Sequence, residues 1–116
     1  MRFKLIIALV NDDSTDKIIE ASRAAGATGA TILNNARGEG IETSKTFFGM
    51  SLETHSEVIL MLVEEHLSRH ILETIAKVGE FDDTPGTGIA FQIDVEDAVG
   101  ISHQIKTLEK EIEDRI

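Results

Sequence analysis

Cysteine, tryptophan and tyrosine are absent from this chain of 116 residues, and proline occurs once. Without cysteine the chain can form neither a disulfide nor a thiolate metal site. The five phenylalanines are too few to build large stacking platforms for nucleic-acid bases. Apolar runs are too short to cross a bilayer, and the N-terminal residues lack the layout of a signal peptide. We therefore expect a cytoplasmic protein.

Basic residues are also scarce, with 11 Lys and Arg against 21 Asp and Glu, a formal charge of −10. The cations are spread singly along the chain instead of forming a patch. A protein that binds DNA or RNA needs several clustered cations to displace condensed counterions. This composition argues against nucleic acid and against direct membrane insertion, and it is typical of a solvated acidic surface.

The hydrophobic pattern predicts four strands, over 3–10, 28–36, 57–63 and 89–95. A helix with an apolar stripe follows the first strand and another follows the third. The stripe Ile101, Ile105, Leu108 and Ile112 predicts a C-terminal helix over 101–116. The order β-α-β-β-α-β predicts an α+β, ferredoxin-like fold with a four-stranded antiparallel sheet, in a single domain of residues 1–116. Either the C-terminal helix or other copies must cover the second sheet face, so we expect a homo-oligomer.

The fourth predicted strand alternates cleanly. Ile89, Phe91, Ile93 and Val95 share one side, which we expect to face the core. Ala90, Gln92 and Asp94 share the other side, which we expect to face solvent or a partner.

Residues 38–55 form a polar stretch that is long for a connection between strands. It carries Phe47, Phe48 and Met50 among Thr, Ser and Glu. These side chains either pack locally or present an apolar contact to a partner protein.

Glycine-rich segments are the other unusual feature. Gly38 and Gly40 follow Arg37, and Gly86-Thr87-Gly88 leads into the fourth strand. Such loops can offer backbone N–H groups to an anion, or can simply supply turn geometry. His66 and His70 are spaced to hold a metal on one helix face, although solvent-facing histidines are the plainer interpretation. No nucleophile with a base is visible, so we expect no enzyme.

Several segments, in order, resemble the nitrogen-regulatory P-II signalling family. Gly26–Thr31 (GATGAT) resembles its Gly-x-Thr-Gly-x-Thr junction between helix and strand. Arg37–Gly40 resembles its basic-Gly-x-Gly entry to a long loop, and Pro85–Phe91 its Gly-x-Gly-x-x-Phe segment. Val95–Val99 resembles its Val-Glu-x-x-Val turn. The resemblance extends over about residues 3–101.

This resemblance implies a homotrimer with a ligand cleft between neighbouring subunits. The family's cleft binds adenine nucleotides, sometimes with 2-oxoglutarate and Mg²⁺, and its long loop docks on target transporters or metabolic enzymes. Carried over by motif, Thr31 would approach the base, while Arg37, Gly38 and Gly40 would shape the loop entry. Gly86, Thr87 and Gly88 would present backbone groups to phosphates, and Phe47, Phe48 and Met50 would contact the target.

The chain also departs from the family pattern. Ile89 stands in place of a phosphate-binding lysine, and Gly100 and Ser102 replace a pair of arginines. These losses weaken the expectation of ATP, and a less charged ligand, a mononucleotide or no ligand at all fits equally well. The alternative function is a divalent-metal-binding trimer of the ion-tolerance type, which has the same fold and would use His66 and His70.

Overall fold

The computed structural model describes residues 1–37, 46–47, 50–51 and 56–115. The three helices are α1 (Thr15–Ala24), α2 (Glu65–Val78) and α3 (Ser102–Arg115). The six strands, in chain order, are β1 (Phe3–Asn11), β2 (Thr31–Ala36), β3 (Thr46–Phe47), β4 (Met50–Ser51), β5 (Ser56–Glu64) and β6 (Gly88–Val95). No helix among these residues is both long and apolar enough to cross a membrane.

Four of the strands form one antiparallel sheet in the order β2-β5-β1-β6. The apolar β1 lies inside the sheet and pairs with β5 on one side and β6 on the other. This arrangement confirms the predicted ferredoxin-like fold. The second strand begins at Thr31 and not at Thr28, because β2 pairs with β5 only from Thr31 onward.

One face of the sheet is covered by α1 and α2. Alternate residues of β1 and β5 point to this face, and they are buried because the two helices lie over them. Ile18 of α1 and Ile71 and Ile75 of α2 have no exposed surface. The strand residues packed in the same core are Ile6, Ala8, Val10, Ile59, Met61 and Val63.

The opposite face of the sheet is also apolar, and no helix covers it among the described residues. Cross-strand partners share a face, so Ile7 lies beside both Leu60 and Phe91 in one row. The face is made of Leu5, Ile7, Leu9, Leu33, Val58, Leu60, Leu62, Ile89, Phe91 and Ile93. We call this set the open face. Leu33, Phe91 and Ile93 keep 40–50% of their surface exposed.

The alternation predicted for the last sheet strand is right, but its assignment to the two faces is wrong except at Val95, which packs against the core. Ile89, Phe91 and Ile93 lie on the open face, while Ala90 pairs with the buried Ala8 and Gln92 with the buried Ile6. Gln92 is half-buried, and its Oε1 has no hydrogen-bond partner. The side with the larger apolar residues therefore faces away from the helices.

Helix α3 agrees with the predicted C-terminal helix and packs at the end of the sheet where β2 begins. Leu108 is its buried anchor, with 2% exposure, and Ile101 and Ile112 pack against the same core. The Thr28 hydroxyl donates to Oε1 of Gln104 at 3.1 Å and so links α3 to the segment before β2. The start of α3 comes near the open face only beside Leu60 and Leu62, and Leu33, Phe91 and Ile93 stay exposed.

The long loop contains a short hairpin that the sequence pattern does not predict. β3 and β4 pair antiparallel, with Thr46 opposite Ser51 and Phe47 opposite Met50. The backbone of Phe47 and Met50 therefore meets across this pair. Phe48, the third predicted partner-binding residue, lies outside the described residues, as do Gly38 and Gly40.

Candidate functional site

The loop between α2 and β6 is tightly tied to the rest of the chain. The N–H of Phe81 donates to the carbonyl of Ala76 at 3.0 Å. Oγ1 of Thr87 lies 3.0 Å from the carbonyl oxygen of Glu80 and 2.9 Å from that of Thr84. Nδ2 of Asn11, at the end of β1, donates to the carbonyl of Gly86 at 3.0 Å. These bonds fix the shape of the loop without a ligand.

The three predicted phosphate-facing residues lie together in this loop. Gly86 and Gly88 have φ angles of 83° and 153°, which favour glycine. The Thr87 hydroxyl contacts its own loop, so it is not directed outward. The N–H groups of Gly86 and Thr87 donate to no acceptor among the described residues. Two backbone donors are therefore left for an anion, which is the chemistry expected of such loops.

Thr31 and Arg37 lie at the two ends of β2, on the opposite edge of the sheet from β6. Thr31 is exposed and pairs with Leu60, in the same cross-strand row as Ile7 and Phe91. Arg37 follows Ala36, which pairs with Ser56. The register of β2 shifts between Leu33 and Ala36, and Asn35 has a φ of 61° at this irregularity.

A single chain does not bring the predicted ligand residues together. β5 and β1 lie between the strand of Thr31 and the strand of Gly88. Three inter-strand spacings separate the outer strands, a distance of about 14 Å. Arg37 and Gly86–Gly88 share one end of the sheet, but they stand at opposite edges of it. Within one chain, a small ligand therefore contacts one set or the other.

The end of the sheet that carries the glycine loop is acidic. Asp12 and Asp13 follow β1, and both are exposed. Glu80, Asp82 and Asp83 are exposed within the loop itself. Arg37, just after β2, is the basic residue that the structure describes at this end of the sheet. This balance disfavours a ligand with several negative charges.

His66 and Glu64 form a pair at the start of α2. Glu64 is 1% exposed and caps the helix, accepting the His66 N–H at Oε2 over 2.7 Å. Its Oε1 lies 2.5 Å from Nδ1 of His66, which is itself exposed. The hydrogen bond and negative charge of Glu64 raise the pKa of His66 above its usual value. Within the described chain, the one group of three possible metal ligands is Glu64, Glu65 and His66, without His70.

The raised pKa of His66 gives a stability change with a defined sign. A raised pKa in the folded state means that folding favours the protonated ring. The contribution of His66 to the free energy of unfolding is fully present below the pKa of the unfolded state, near 6.5. It is lost as the pH rises through the pKa of His66 in the folded state. We expect the wild-type protein to melt at a higher temperature than His66→Gln at low pH. This difference in melting temperature should shrink as the pH rises from about 6.5 through the folded-state pKa of His66.

Proton NMR titration of the His66 ring measures the same effect directly, with Glu64→Gln as the matched variant. Glutamine keeps the size of the side chain and its capping oxygen but removes the charge. The pKa of His66 should fall in this variant. An unchanged titration curve would show that Glu64 does not control the protonation of His66.

Thr31 lines a shallow depression that sequence reasoning did not identify. Its volume is about 250 Å³, and it lies between the start of β2, two leucines of β5 and the first turn of α3. Gln104 is part of this lining. The sequence offers no signal for Gln104, because a glutamine at the start of an amphipathic helix is typical of a solvated surface.

Comparison with known proteins gives one family match. The model of the family "Nitrogen regulatory protein P-II" matches residues 3–104. No curated protein sequence matches the chain.

Solved structures of P-II-like proteins share the fold. CPII from Thiomonas intermedia K12, bound to ADP, AMP and acetate, has a TM-score of 0.66 at 22% identity, covering 86% of this chain and 92% of that one. A second CPII structure, bound to ADP, AMP and bicarbonate, has a TM-score of 0.62 at 20% identity, covering 87% and 96%. A putative PII-like signaling protein from Thermus thermophilus has a TM-score of 0.60 at 23% identity, covering 82% and 88%.

Proposed function

The chain belongs to the nitrogen regulatory protein P-II family, and from this membership we propose that it is a regulatory protein without catalytic activity. In this proposal it binds an adenine nucleotide between the subunits of a homotrimer. Residues 38–55 then contact a target protein, such as a transporter or a metabolic enzyme. The nucleotide proposal draws on CPII, which has been solved with ADP and AMP.

The observation that carries the proposal is the placement of the ligand residues on the two edges of an open apolar face. Copies packed through the open face would remove its ten apolar side chains from water, which stabilises assembly. The same packing would bring the β2 edge of one copy toward the β6 edge of the next. Thr31 of one subunit and Gly86–Gly88 of a neighbour could then contact one ligand.

The free N–H groups of Gly86 and Thr87 support a phosphate at this loop. Two backbone donors can hold a phosphate without a cationic side chain. The acids around the loop work against further phosphates, because each adds negative charge close to carboxylates. The proposed ligand is therefore an adenine nucleotide of low charge.

We expect the affinity not to increase from AMP to ADP to ATP when no divalent metal is present. Isothermal titration calorimetry of the three nucleotides, in buffer with a chelator, measures this order. Raising the salt concentration should improve ATP binding relative to AMP, because salt screens the repulsion. ATP binding tenfold tighter than AMP under these conditions would contradict the proposed charge preference. Binding of none of the three would contradict the nucleotide proposal itself.

The target-binding role is proposed for Phe47, Phe48 and Met50. A double variant, Phe47→Ser with Phe48→Ser, should keep the nucleotide affinity of the wild type because the proposed cleft is formed by other residues, Thr31 and Gly86–Gly88. In affinity purification, the same variant should recover smaller amounts of the proteins that bind the wild type. Quantitative mass spectrometry measures these amounts. Equal recovery of every protein by the two chains would argue against this role.

A further inference from the structure

The depression beside Thr31 has two chemically different sides. Leu60 and Leu62 of β5 and Ile101, just before α3, give it an apolar side. Thr28, Thr31 and Gln104 give it hydroxyl and carboxamide groups. A flat heterocycle suits this combination, because its faces pack on apolar side chains while its edge forms hydrogen bonds.

Gln104 is tied to its surroundings through both its side chain and its backbone. Its Oε1 accepts the Thr28 hydroxyl at 3.1 Å, and the backbone N–H of Gln104 donates to the carbonyl of Ile101 at 2.9 Å. Within the described chain no acceptor is bonded to Nε2 of Gln104. An amide carbonyl oxygen has two lone pairs, so Gln104 keeps one acceptor position together with its two N–H donors.

We propose that Gln104 contacts the base of the bound nucleotide and makes the site selective for adenine. This inference rests on the proposed nucleotide-binding function. A carboxamide can donate to N7 of adenine and accept from its N6 amino group at the same time. Hypoxanthine and guanine carry an O6 acceptor in place of that amino group. Their O6 would face Oε1 of Gln104, and two acceptors cannot form a hydrogen bond.

Thr28 has a supporting role in this proposal. Its hydroxyl lies 3.1 Å from Oε1 of Gln104 and ties this side chain to the segment before β2. Thr28 is therefore a positioning residue, and Gln104 is the residue that contacts the base. Rotating the carboxamide by half a turn would not rescue hypoxanthine or guanine, because Oε1 would then face N7, which is also an acceptor.

The family resemblance predicts a pair of arginines around the start of α3, and Gln104 is at neither of those two positions. Gly100 and Ser102 stand at those positions, so this segment brings no positive charge to the phosphates. It turns into α3 instead, and its first turn supplies a neutral group beside Thr31. The ligand would then be recognised mainly at its base and less at its phosphates.

The test compares AMP with IMP, which differ at position 6 of the base, by calorimetry on the purified full chain. The wild type should bind AMP about tenfold more tightly than IMP, or better. Gln104→Met keeps the length of the side chain but removes its hydrogen bonds. This variant should lose about tenfold in AMP affinity and bind the two nucleotides within about twofold of each other. Thr28→Val should weaken AMP binding, because the carboxamide is then less well positioned, and should keep the preference for AMP over IMP.

Thr107→Val is the matched control: Thr107 lies about one turn further along α3 and does not line the depression beside Thr31, although it lines a neighbouring groove together with Thr28 and Gln104. It should keep the wild-type preference. Gln104 and its hydrogen bond to Thr28 are exposed, so its replacement should lower the melting temperature by no more than a few degrees. Equal binding of AMP and IMP by the wild type, or a full preference in Gln104→Met, would overturn the role of Gln104 and leave nucleotide binding intact. A wild type that binds neither nucleotide would overturn both proposals.

Discussion

Replacing Phe91 by aspartate is expected to produce a folded monomer in place of the proposed trimer. Phe91 lies in the middle row of the open face, opposite Ile7, and is 40% exposed in the single chain. In an assembly through this face it would be buried. Loss of that burial costs about 1.5–3 kcal/mol per subunit, and an unpaired buried carboxylate adds several more. The measurement is the molar mass in solution, compared with 12.7 kDa for one chain.

Val99→Asp is the control for this experiment. Val99 is 92% exposed, lies in the connection between β6 and α3, and is not a residue of the open face. The same change from an apolar residue to aspartate should leave the wild-type mass unaltered there. A trimeric Phe91→Asp, or dissociation by both variants, would show that the open face is not the contact between copies.

Gly88→Ala is expected to destabilise the fold by about 2–4 kcal/mol. Its φ of 153° disfavours a side chain, and a Cβ there would lie 2.7 Å from the carbonyl oxygen of Leu9. The same Cβ would lie 2.6 Å from Cε1 of Phe81. The phenyl ring could move, but the β1 backbone is held by pairing on both sides. The melting temperature should fall by about 10 °C.

Gly29→Ala is the matched glycine replacement. Nothing lies within 4 Å of the Cβ position at Gly29, so its melting temperature should stay within a few degrees of the wild type. Thermal unfolding followed by circular dichroism distinguishes the two variants. Equal stability of Gly88→Ala and Gly29→Ala would mean that the close approach at Gly88 relaxes at little cost.

The fold could be predicted because the strand and helix patterns are local and strong. The continuous apolar run of β1 indicates an inner strand. Ile18 belongs to the predicted apolar stripe of α1, and Ile71 and Ile75 to that of α2; all three are fully buried. The face of β6 could not be assigned in this way. Both sheet faces are apolar, and the pattern of one strand does not tell which face lies under helices and which is left open.

The candidate site was predictable only in part. The glycine loop is visible because Gly86 and Gly88 lie close together in the sequence. The pairing of Thr28 with Gln104 joins residues 76 positions apart, so no local pattern indicates it. The separation of Thr31 from Gly88 across the sheet likewise depends on strand order, which arises from the packing of the whole chain.

Phe81 affects how quickly a ligand could bind. Its ring lies between Gly79 and Gly88, so it connects the end of α2 directly to the start of β6. Residues 82–87 are therefore anchored at both ends to elements of the core. Their backbone donors need no slow rearrangement before they meet an anion. Association at this loop should be limited by diffusional encounter, with a rate proportional to nucleotide concentration and without a saturating conformational step.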